Sequence, residues 1–137
     1  MIKGFTCSAF DLLHAGHVLM LKECRKNCEY LTVGLHVNPQ LERSEKNKPV
    51  QSIYERYLQL QGCKYVNKII VYENEKDLID ILKVNQFDIR FVGTDYKNEK
   101  KKITGKELCS IYYLSRNHDF SSSELRERIK NAKTNRN

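Results

Sequence analysis

The stretch that decides the fold is AFDLLHAGH, residues 9–17. It follows an apolar run, residues 2–7, that has the composition of a buried strand. It precedes a segment in which residues suited to a helix face recur at spacings of three and four: Met20, Leu21, Cys24 and Cys28. Residues 9–17 are therefore predicted to form the turn between the first strand and the first helix.

Two histidines and a glycine give this turn its chemistry. His14 and His17 are three residues apart, so their side chains share one face where the turn is already helical. The free N–H groups and the dipole at the start of a helix favour an anion. Gly16 has no Cβ, which lets a phosphate approach the backbone closely. The turn is predicted to bind phosphate, and surface or capping histidines are the alternative explanation of the pair.

The chain has 137 residues, enough for one domain with a hydrophobic core, and residues 1–132 are predicted to form that domain. Residues 133–137 are predicted to be a disordered basic tail. No apolar run approaches the length of a membrane span, and no signal peptide is expected. Five cysteines, an odd number, favour reduced thiols and a cytoplasmic location. Cys24 and Cys28 are predicted to pack in the core rather than to bind a metal.

The net charge of +7 is compatible with nucleic acid, an acidic membrane surface or small phosphorylated substrates. The aromatic and basic interleaving of RNA-binding segments is missing from the sequence. Much of the excess charge lies at residues 100–102 and 126–136, where a solvated surface is expected. Neither nucleic acid nor a membrane is therefore expected as a partner.

Strand patterns alternate with helix patterns along the rest of the chain. Further strands are predicted at residues 30–36, 66–72, 88–92 and 110–114. Further helices are predicted from Ser52, with Glu55 as its capping-box partner, and at residues 77–84 and 121–132; residues 38–51 form a charged loop. The alternation predicts an α/β fold, a single Rossmann-like domain with a five-stranded parallel sheet and helices on both faces.

Ligands of such folds bind beyond the carboxyl ends of the strands. Three groups of polar residues fall there. They are the histidines after the first strand, residues 93–96 after the fourth, and Arg116 with residues 121–123 after the fifth.

The pattern H-x-G-H, between a strand and a helix, resembles the signature of the nucleotidyltransferases of the cytidylyltransferase-like superfamily. The run SSSELR at residues 121–126 resembles the I-S-S-T-x-x-R type of motif that opens the last helix of these enzymes. The resemblance covers residues 2–129 and is nearest to the glycerol-3-phosphate cytidylyltransferases.

This resemblance implies a reaction class. In the family, a phosphate oxygen of the second substrate attacks the α-phosphorus of a nucleoside triphosphate, and pyrophosphate leaves. The protein supplies no nucleophile; it holds two anions in line and stabilises the charge that develops on the α-phosphate and the leaving group. The resemblance also implies Mg²⁺, bound mainly through the nucleotide phosphates, with no ligand expected from the protein.

The resemblance further implies site residues. The catalytic residues are expected to be His14, His17, Arg116 and Ser122. The nucleotide-binding set is expected to contain these and to add Ala9, Phe10, Gly16, Asp95, Ser121 and Ser123. The candidates for acceptor binding are Asp11, Lys46, Lys48 and Arg56. For Asp11, a role in fixing the turn is favoured over substrate contact. A surface salt bridge explains Arg56 equally well, and the choice between the two lysines is open.

The base and the acceptor are less determined. The element R-T-x-G-x-S-T-T of the glycerol-3-phosphate cytidylyltransferases reads RNHDFSSS at residues 116–123, and serines of this kind also occur in adenylyltransferase relatives. The first expectation is that CTP and a small phosphorylated alcohol, glycerol 3-phosphate, give a CDP-alcohol. The alternative is ATP with a sugar phosphate such as a heptose phosphate, and a non-catalytic module that binds nucleotide or nucleic acid is a third possibility. A homodimer is implied by the resemblance.

Overall fold

The computed structural model describes residues 1–98 and 101–132 of the chain. Strands and helices alternate along most of it. The strands are β1 (Lys3–Ser8), β2 (Tyr30–His36), β3 (Lys68–Tyr72), β4 (Ile89–Val92) and β5 (Ser110–Tyr113). The helices are α1 (Ala15–Lys26), α2 (Ile53–Gln61), α3 (Glu75–Asn85) and α4 (Ser122–Asn131).

The five strands form one parallel sheet in the order β3-β2-β1-β4-β5. The central strand β1 pairs with β2, where Phe5 lies opposite Thr32, and with β4, where Phe5 lies opposite Arg90. The predicted five-stranded parallel sheet and α/β fold class are confirmed. The strand order reverses between β1 and β4, which is the point where open α/β sheets form their ligand crevice.

Apolar side chains pack against both faces of the sheet. One cluster joins α1 to β2 and β4 and includes Leu21, Leu31 and Phe91. A second cluster joins Phe5 of β1 to Leu82 and other residues of α3. Successive strand residues point to opposite faces, so the two clusters lie on the two sides of β1 and β4. Burial of each such side chain contributes roughly 1.5–3 kcal/mol, which fixes α1 and α3 on either side of the crevice.

Some element boundaries differ from the predicted ones. Helix α3 begins at Glu75 rather than at residue 77, because the Asn74 side chain accepts the Asp77 N–H (2.9 Å) and caps the helix earlier than predicted. Strand β3 begins at Lys68 rather than at residue 66. Cys28 lies beyond the end of α1, not on its helical face as predicted, although its thiol is buried near that of Cys24.

The predicted capping box of α2 is confirmed. The Ser52 hydroxyl accepts the Glu55 N–H (3.2 Å), and the Glu55 carboxylate accepts the Ser52 N–H (3.0 Å). The predicted basic tail, residues 133–137, and Lys100 of the predicted basic run lie outside the described residues. Within residues 1–98 and 101–132, no helix has the length and apolar character that a membrane span requires.

Candidate active site

A cavity of about 390 Å³ opens where β1 and β4 end. Its wall is formed by residues 6–11 at the end of β1, by residues of the 39–49 loop, by Gly93 after β4, and by Ser122 and Arg126 of α4. This location is the ligand crevice of an open α/β sheet. The volume lies in the range of small-molecule sites.

The predicted histidine pair stands at the start of α1, beside this cavity. The imidazole centroids of His14 and His17 are 4.0 Å apart, and His17 forms part of the cavity wall. The His14 Nδ1 accepts the Gly16 N–H (3.0 Å), and the His17 Nδ1 accepts the His14 N–H (3.2 Å). A ring nitrogen that accepts carries no proton, so each neutral ring carries its proton on Nε2. Both histidines therefore present an Nε2–H donor directed away from the helix backbone.

The charge state of the pair follows from its surroundings. Burial lowers the pKa of His17 to about 4; the nearby His14 adds to the effect and Asp11 opposes it. Burial also lowers the pKa of His14, with further contributions from the nearby side chains of His118 and Arg116. Both imidazoles are thus neutral at pH 7 before a ligand binds. The pair supplies hydrogen-bond donors that an arriving phosphate can use.

Helix α4 meets the histidines through one of its three predicted serines. The Ser122 Oγ lies 3.1 Å from the His14 Nε2, and Ser122 is part of the cavity wall. Ser121 caps the helix by accepting the Glu124 N–H (3.1 Å). Ser123 is exposed. The first turns of α1 and α4 therefore converge, and Ser122 is the serine that joins them.

Arg116 lies on the exposed connection between β5 and α4. Its Nη2 donates to the Phe120 carbonyl (3.0 Å), which holds the loop in a bend. Its charge is close enough to lower the pKa of His14. The predicted residue is thus near the histidine pair but outside the cavity wall.

Asp11 is a buried anchor between three parts of the chain. Its carboxylate accepts the Val50 N–H (2.8 Å), the Gln51 N–H (3.0 Å) and the Arg126 Nη2 (2.6 Å). Although burial raises the pKa of Asp11, these hydrogen bonds and the Arg126 charge hold it below the usual value. Asp11 fixes the turn against the loop before α2 and against α4, which agrees with the structural explanation of this residue.

Arg56, predicted to contact a substrate phosphate, is 2% exposed. Its guanidinium donates to the carbonyls of Gln51 (3.2 Å), Ala9 (3.0 Å), His36 (2.7 Å) and Val37 (2.7 Å). Four of its five N–H groups are used by these bonds. These bonds join Arg56 to the carboxyl ends of β1 and β2, because the start of α2 lies directly over them; its contact with a substrate phosphate stays a prediction.

The remaining predicted residues divide between the cavity and its surroundings. Lys46 forms part of the cavity wall, whereas Lys48 is exposed and lies outside it. The Asp95 carboxylate is paired with Lys101 (2.7 Å) at an exposed position after β4. Gly93 and Tyr96 are the members of that segment that reach the cavity wall. The structure therefore favours Lys46 over Lys48 as the loop lysine within reach of a ligand.

The turn after β1 holds its shape at a conformational cost. Phe10 (φ 48°) and Leu12 (φ 51°) both adopt left-handed backbone angles, which costs roughly 1–2 kcal/mol for each residue. Ala9 and Phe10 line the cavity, and the Phe10 ring is 5.5 Å from that of His17. A Cβ on Gly16 would lie 2.8 Å from the His14 ring, so the capped geometry requires glycine there. Strain of this kind is typical of ligand-binding turns.

Two arginines without a role predicted from the sequence lie in the cavity wall, Arg43 and Arg90. Arg90 is 5% exposed on β4; its Nη1 donates to the Thr104 carbonyl, and its Nη2 lies 3.9 Å from the Cys7 sulfur. The sequence held one signal for Arg90, because a charged residue stands there inside the apolar run of β4. Arg126, quoted within a motif but given no role, also lines the cavity.

Three cavity-wall residues carry a buried polar atom that has no hydrogen-bond partner within the described part of the chain. The atoms are Glu75 Oε2, Arg90 Nε and Arg126 Nε. An unpaired buried polar atom costs about 1–3 kcal/mol. Their presence in one wall is the pattern expected where a polar ligand completes the hydrogen bonding.

Comparison with known proteins gives a consistent assignment. A family model described as cytidylyltransferase-like matches residues 5–128. The chain is 28% identical over 133 residues to the glycerol-3-phosphate cytidylyltransferase of Bacillus subtilis (strain 168), covering 94% of this chain and 98% of that protein. It is 30% identical over 133 residues to the bifunctional protein HldE of Campylobacter jejuni (strain RM1221), covering 94% of this chain. The match spans 28% of the length of that bifunctional relative.

Solved structures share the fold. The lipopolysaccharide core biosynthesis protein from Thermoplasma volcanium GSS1 matches with a TM-score of 0.70 at 24% identity, over 86% of this chain and 99% of that chain. Pantothenate synthetase from Thermus thermophilus matches with a TM-score of 0.58 at 11% identity, over 83% of this chain and 55% of that chain.

Proposed function

The chain belongs to the cytidylyltransferase-like family, and we propose that it transfers the cytidylyl group of CTP to a small phosphorylated alcohol, with glycerol 3-phosphate as the first candidate. The products are the CDP-alcohol and pyrophosphate. The family resemblance and the nucleotidyltransferase class predicted from the sequence are confirmed for this domain by its membership. One observation carries the proposal: His14, His17 and Ser122 converge beside a cavity at the carboxyl ends of β1 and β4.

The proposed chemistry uses these residues as donors. A phosphate oxygen of the acceptor attacks the α-phosphorus, and the bond from that phosphorus to the bridging oxygen of pyrophosphate breaks. The Nε2–H groups of His14 and His17 stabilise the charge that develops on the α-phosphate. Because the backbone holds both Nδ1 atoms, the rings need little reorganisation during the reaction. The first turns of α1 and α4 add the positive ends of two helix dipoles.

The acceptor is proposed to occupy the part of the cavity next to α3. Its wall there combines the donor Arg90, the acceptor Glu75 and the side chain of Tyr72. Glu75 Oε2 and Arg90 Nε are unpaired within the described residues. A hydroxyl group both donates and accepts, so the hydroxyls of a polyol phosphate can satisfy both atoms. This mixture supports a hydroxylated acceptor over a purely apolar one.

The Mg²⁺ implied by the resemblance is proposed to reach the site bound to the nucleotide phosphates. Residues 1–98 and 101–132 contain no group of three or more His, Cys, Asp or Glu side chains placed to hold a metal ion. When bound to the triphosphate, a divalent cation neutralises part of its charge. The homodimer and the cytoplasmic location predicted from the sequence remain predictions; light scattering on the purified chain measures the first.

An adenylyltransferase is the second candidate. The serine run at residues 121–123 favours it, because the Thr and Gly of the cytidylyltransferase element are replaced here. One experiment separates the candidates. The purified chain is mixed with Mg²⁺, each of the four nucleoside triphosphates and a panel of glycerol 3-phosphate, phosphoethanolamine and sugar phosphates, and pyrophosphate release is measured.

Turnover that requires CTP and glycerol 3-phosphate is the expected result. Turnover with ATP and a sugar phosphate, and none with CTP, would overturn the first candidate in favour of the second. Nucleotide binding without pyrophosphate release from any pair would overturn both and indicate a non-catalytic module. His17→Ala serves as the background control and is expected to abolish release; circular dichroism checks that the variant is folded.

A further inference from the structure

A third imidazole lies beside the histidine pair. This imidazole belongs to His118, on the connection between β5 and α4. The family resemblance gave His118 no role. A Cβ added to Gly16 would lie 2.8 Å from the His14 Cε1 and 3.0 Å from the His118 Cε1. The Cε1 edges of both rings therefore border Gly16, at the first turn of α1, in space that a side chain at this position would fill.

The third ring is held in the same way as the other two, by a backbone N–H that donates to its Nδ1. The Phe120 N–H donates to the His118 Nδ1 (3.1 Å), and the Phe120 ring stacks on the imidazole with centroids 5.5 Å apart. With Nδ1 accepting, the neutral ring carries its proton on Nε2. Three backbone N–H groups thus hold three imidazoles as Nε2–H donors around the start of one helix.

The three rings have different distances from the cavity. His17 is in the cavity wall and its ring centroid is 4.0 Å from that of His14, whereas His14 and His118 are both outside the wall, with their Cε1 edges beside Gly16. Arg116 is also outside the wall, and both it and His118 lie close enough to His14 to lower its pKa. In the described residues, His118 has no carboxylate within ion-pair distance. Neither His118 nor Arg116 is in an ion pair within the described residues, and donors of this kind favour an anionic ligand.

We propose that His118 is a third catalytic imidazole that donates its Nε2–H to the pyrophosphate leaving group. This inference rests on the proposed nucleotidyl transfer. In-line displacement places the attacking and leaving oxygens on opposite sides of the α-phosphorus. With the acceptor in the cavity and the α-phosphate at His14 and His17, the leaving group departs toward His118. The electron pair of the breaking bond goes to the pyrophosphate oxygens, and His118 hydrogen-bonds them without giving up its proton.

The test begins with inorganic pyrophosphate and the wild-type chain. ¹⁵N-labelled histidine side chains are followed by NMR during titration, with no nucleotide present, and the four histidines are assigned from single variants. A shift of the His118 Nε2 resonance is expected. A resonance that stays unmoved while pyrophosphate binds, as judged by calorimetry, would overturn the proposal.

The kinetic arm uses His118→Ala and His118→Gln, with Asp119→Asn as a control in the same loop. His118→Ala is expected to lower kcat by about 10²-fold, as loss of one transition-state donor does, and to weaken pyrophosphate binding, while KM for the acceptor stays unchanged. His118→Gln, whose amide still donates, is expected to recover part of the rate. Unchanged kcat and pyrophosphate affinity in a folded His118→Ala would refute the role. Absence of turnover in the wild type with every substrate pair would instead refute the proposed function.

Discussion

Replacement of Arg56 by alanine distinguishes a residue that builds the site from one that binds substrate. In the folded chain its guanidinium reaches four backbone carbonyls in a position that is 2% exposed. Alanine leaves those carbonyls without their donor and leaves space that the surrounding backbone fills only in part. The side chain therefore contributes mainly to stability, through the ends of β1 and β2 and the start of α2.

The magnitude follows from the hydrogen-bond inventory. At about 1 kcal/mol for each orphaned carbonyl, four carbonyls give about 4 kcal/mol. Burial of the Arg56 guanidinium carries a desolvation cost, which also lowers the pKa of Arg56. The alanine variant no longer carries that cost, and this offsets part of the loss in stability. We expect a loss of about 3 kcal/mol in the free energy of unfolding, which lowers Tm by about 10 °C for a domain of this size.

The assay is urea and thermal unfolding followed by circular dichroism, with steady-state kinetics of the same samples. Lys48→Ala is the matched control, since it removes an exposed cation from the neighbouring loop and is expected to change stability by less than about 0.5 kcal/mol. Arg56→Lys keeps the charge but cannot span four carbonyls, and an intermediate loss is expected. An Arg56→Ala variant as stable as the wild type, but with a raised KM for the acceptor, would refute this reasoning and support the predicted phosphate contact.

Two further predictions concern the turn after β1. The pKa of His17 is about 4 in the folded chain, against an ordinary value of 6.5. Between pH 6.5 and pH 4, only the unfolded chain therefore binds a proton at His17. The free energy of unfolding falls as the pH is lowered, by about 2 kcal/mol between pH 7 and pH 5. His17→Gln is expected to lose that share of the pH dependence in urea melts at the two pH values, and equal slopes for both proteins would contradict a buried neutral ring. Asp11 has a lowered pKa, so its contribution is present above about pH 4 and is lost as the pH falls through the folded-state value. Asp11→Asn removes the charge that pairs with Arg126 and is expected to cost about 2 kcal/mol at pH 7 and to lower kcat; a variant with unchanged Tm and kcat would show that the anchor is dispensable.

Local signals were sufficient for the fold. The apolar run at residues 30–36 became β2 with unchanged limits, because a strand buried on both faces leaves a continuous run of apolar and β-branched residues. The capping box at Ser52 correctly predicted the start of α2, because both of its partners lie within one turn of the chain. The start of α3 was predicted too late because a single Asn74 cap was not considered as a start signal.

The roles of individual charged residues could not be predicted in the same way, because their partners are distant in sequence. Asp11 and Arg126 are 115 positions apart, and nothing in either local segment indicates that they meet. Arg56 and Arg90 are both buried arginines beside the crevice, yet four carbonyls occupy the first, whereas the second retains an unpaired Nε within the described residues. The residue type alone cannot separate these cases; the count of satisfied donors does. Unused hydrogen-bonding capacity is therefore the better guide to substrate contacts in this domain, and by that measure Arg90 and His118 rank above Arg56.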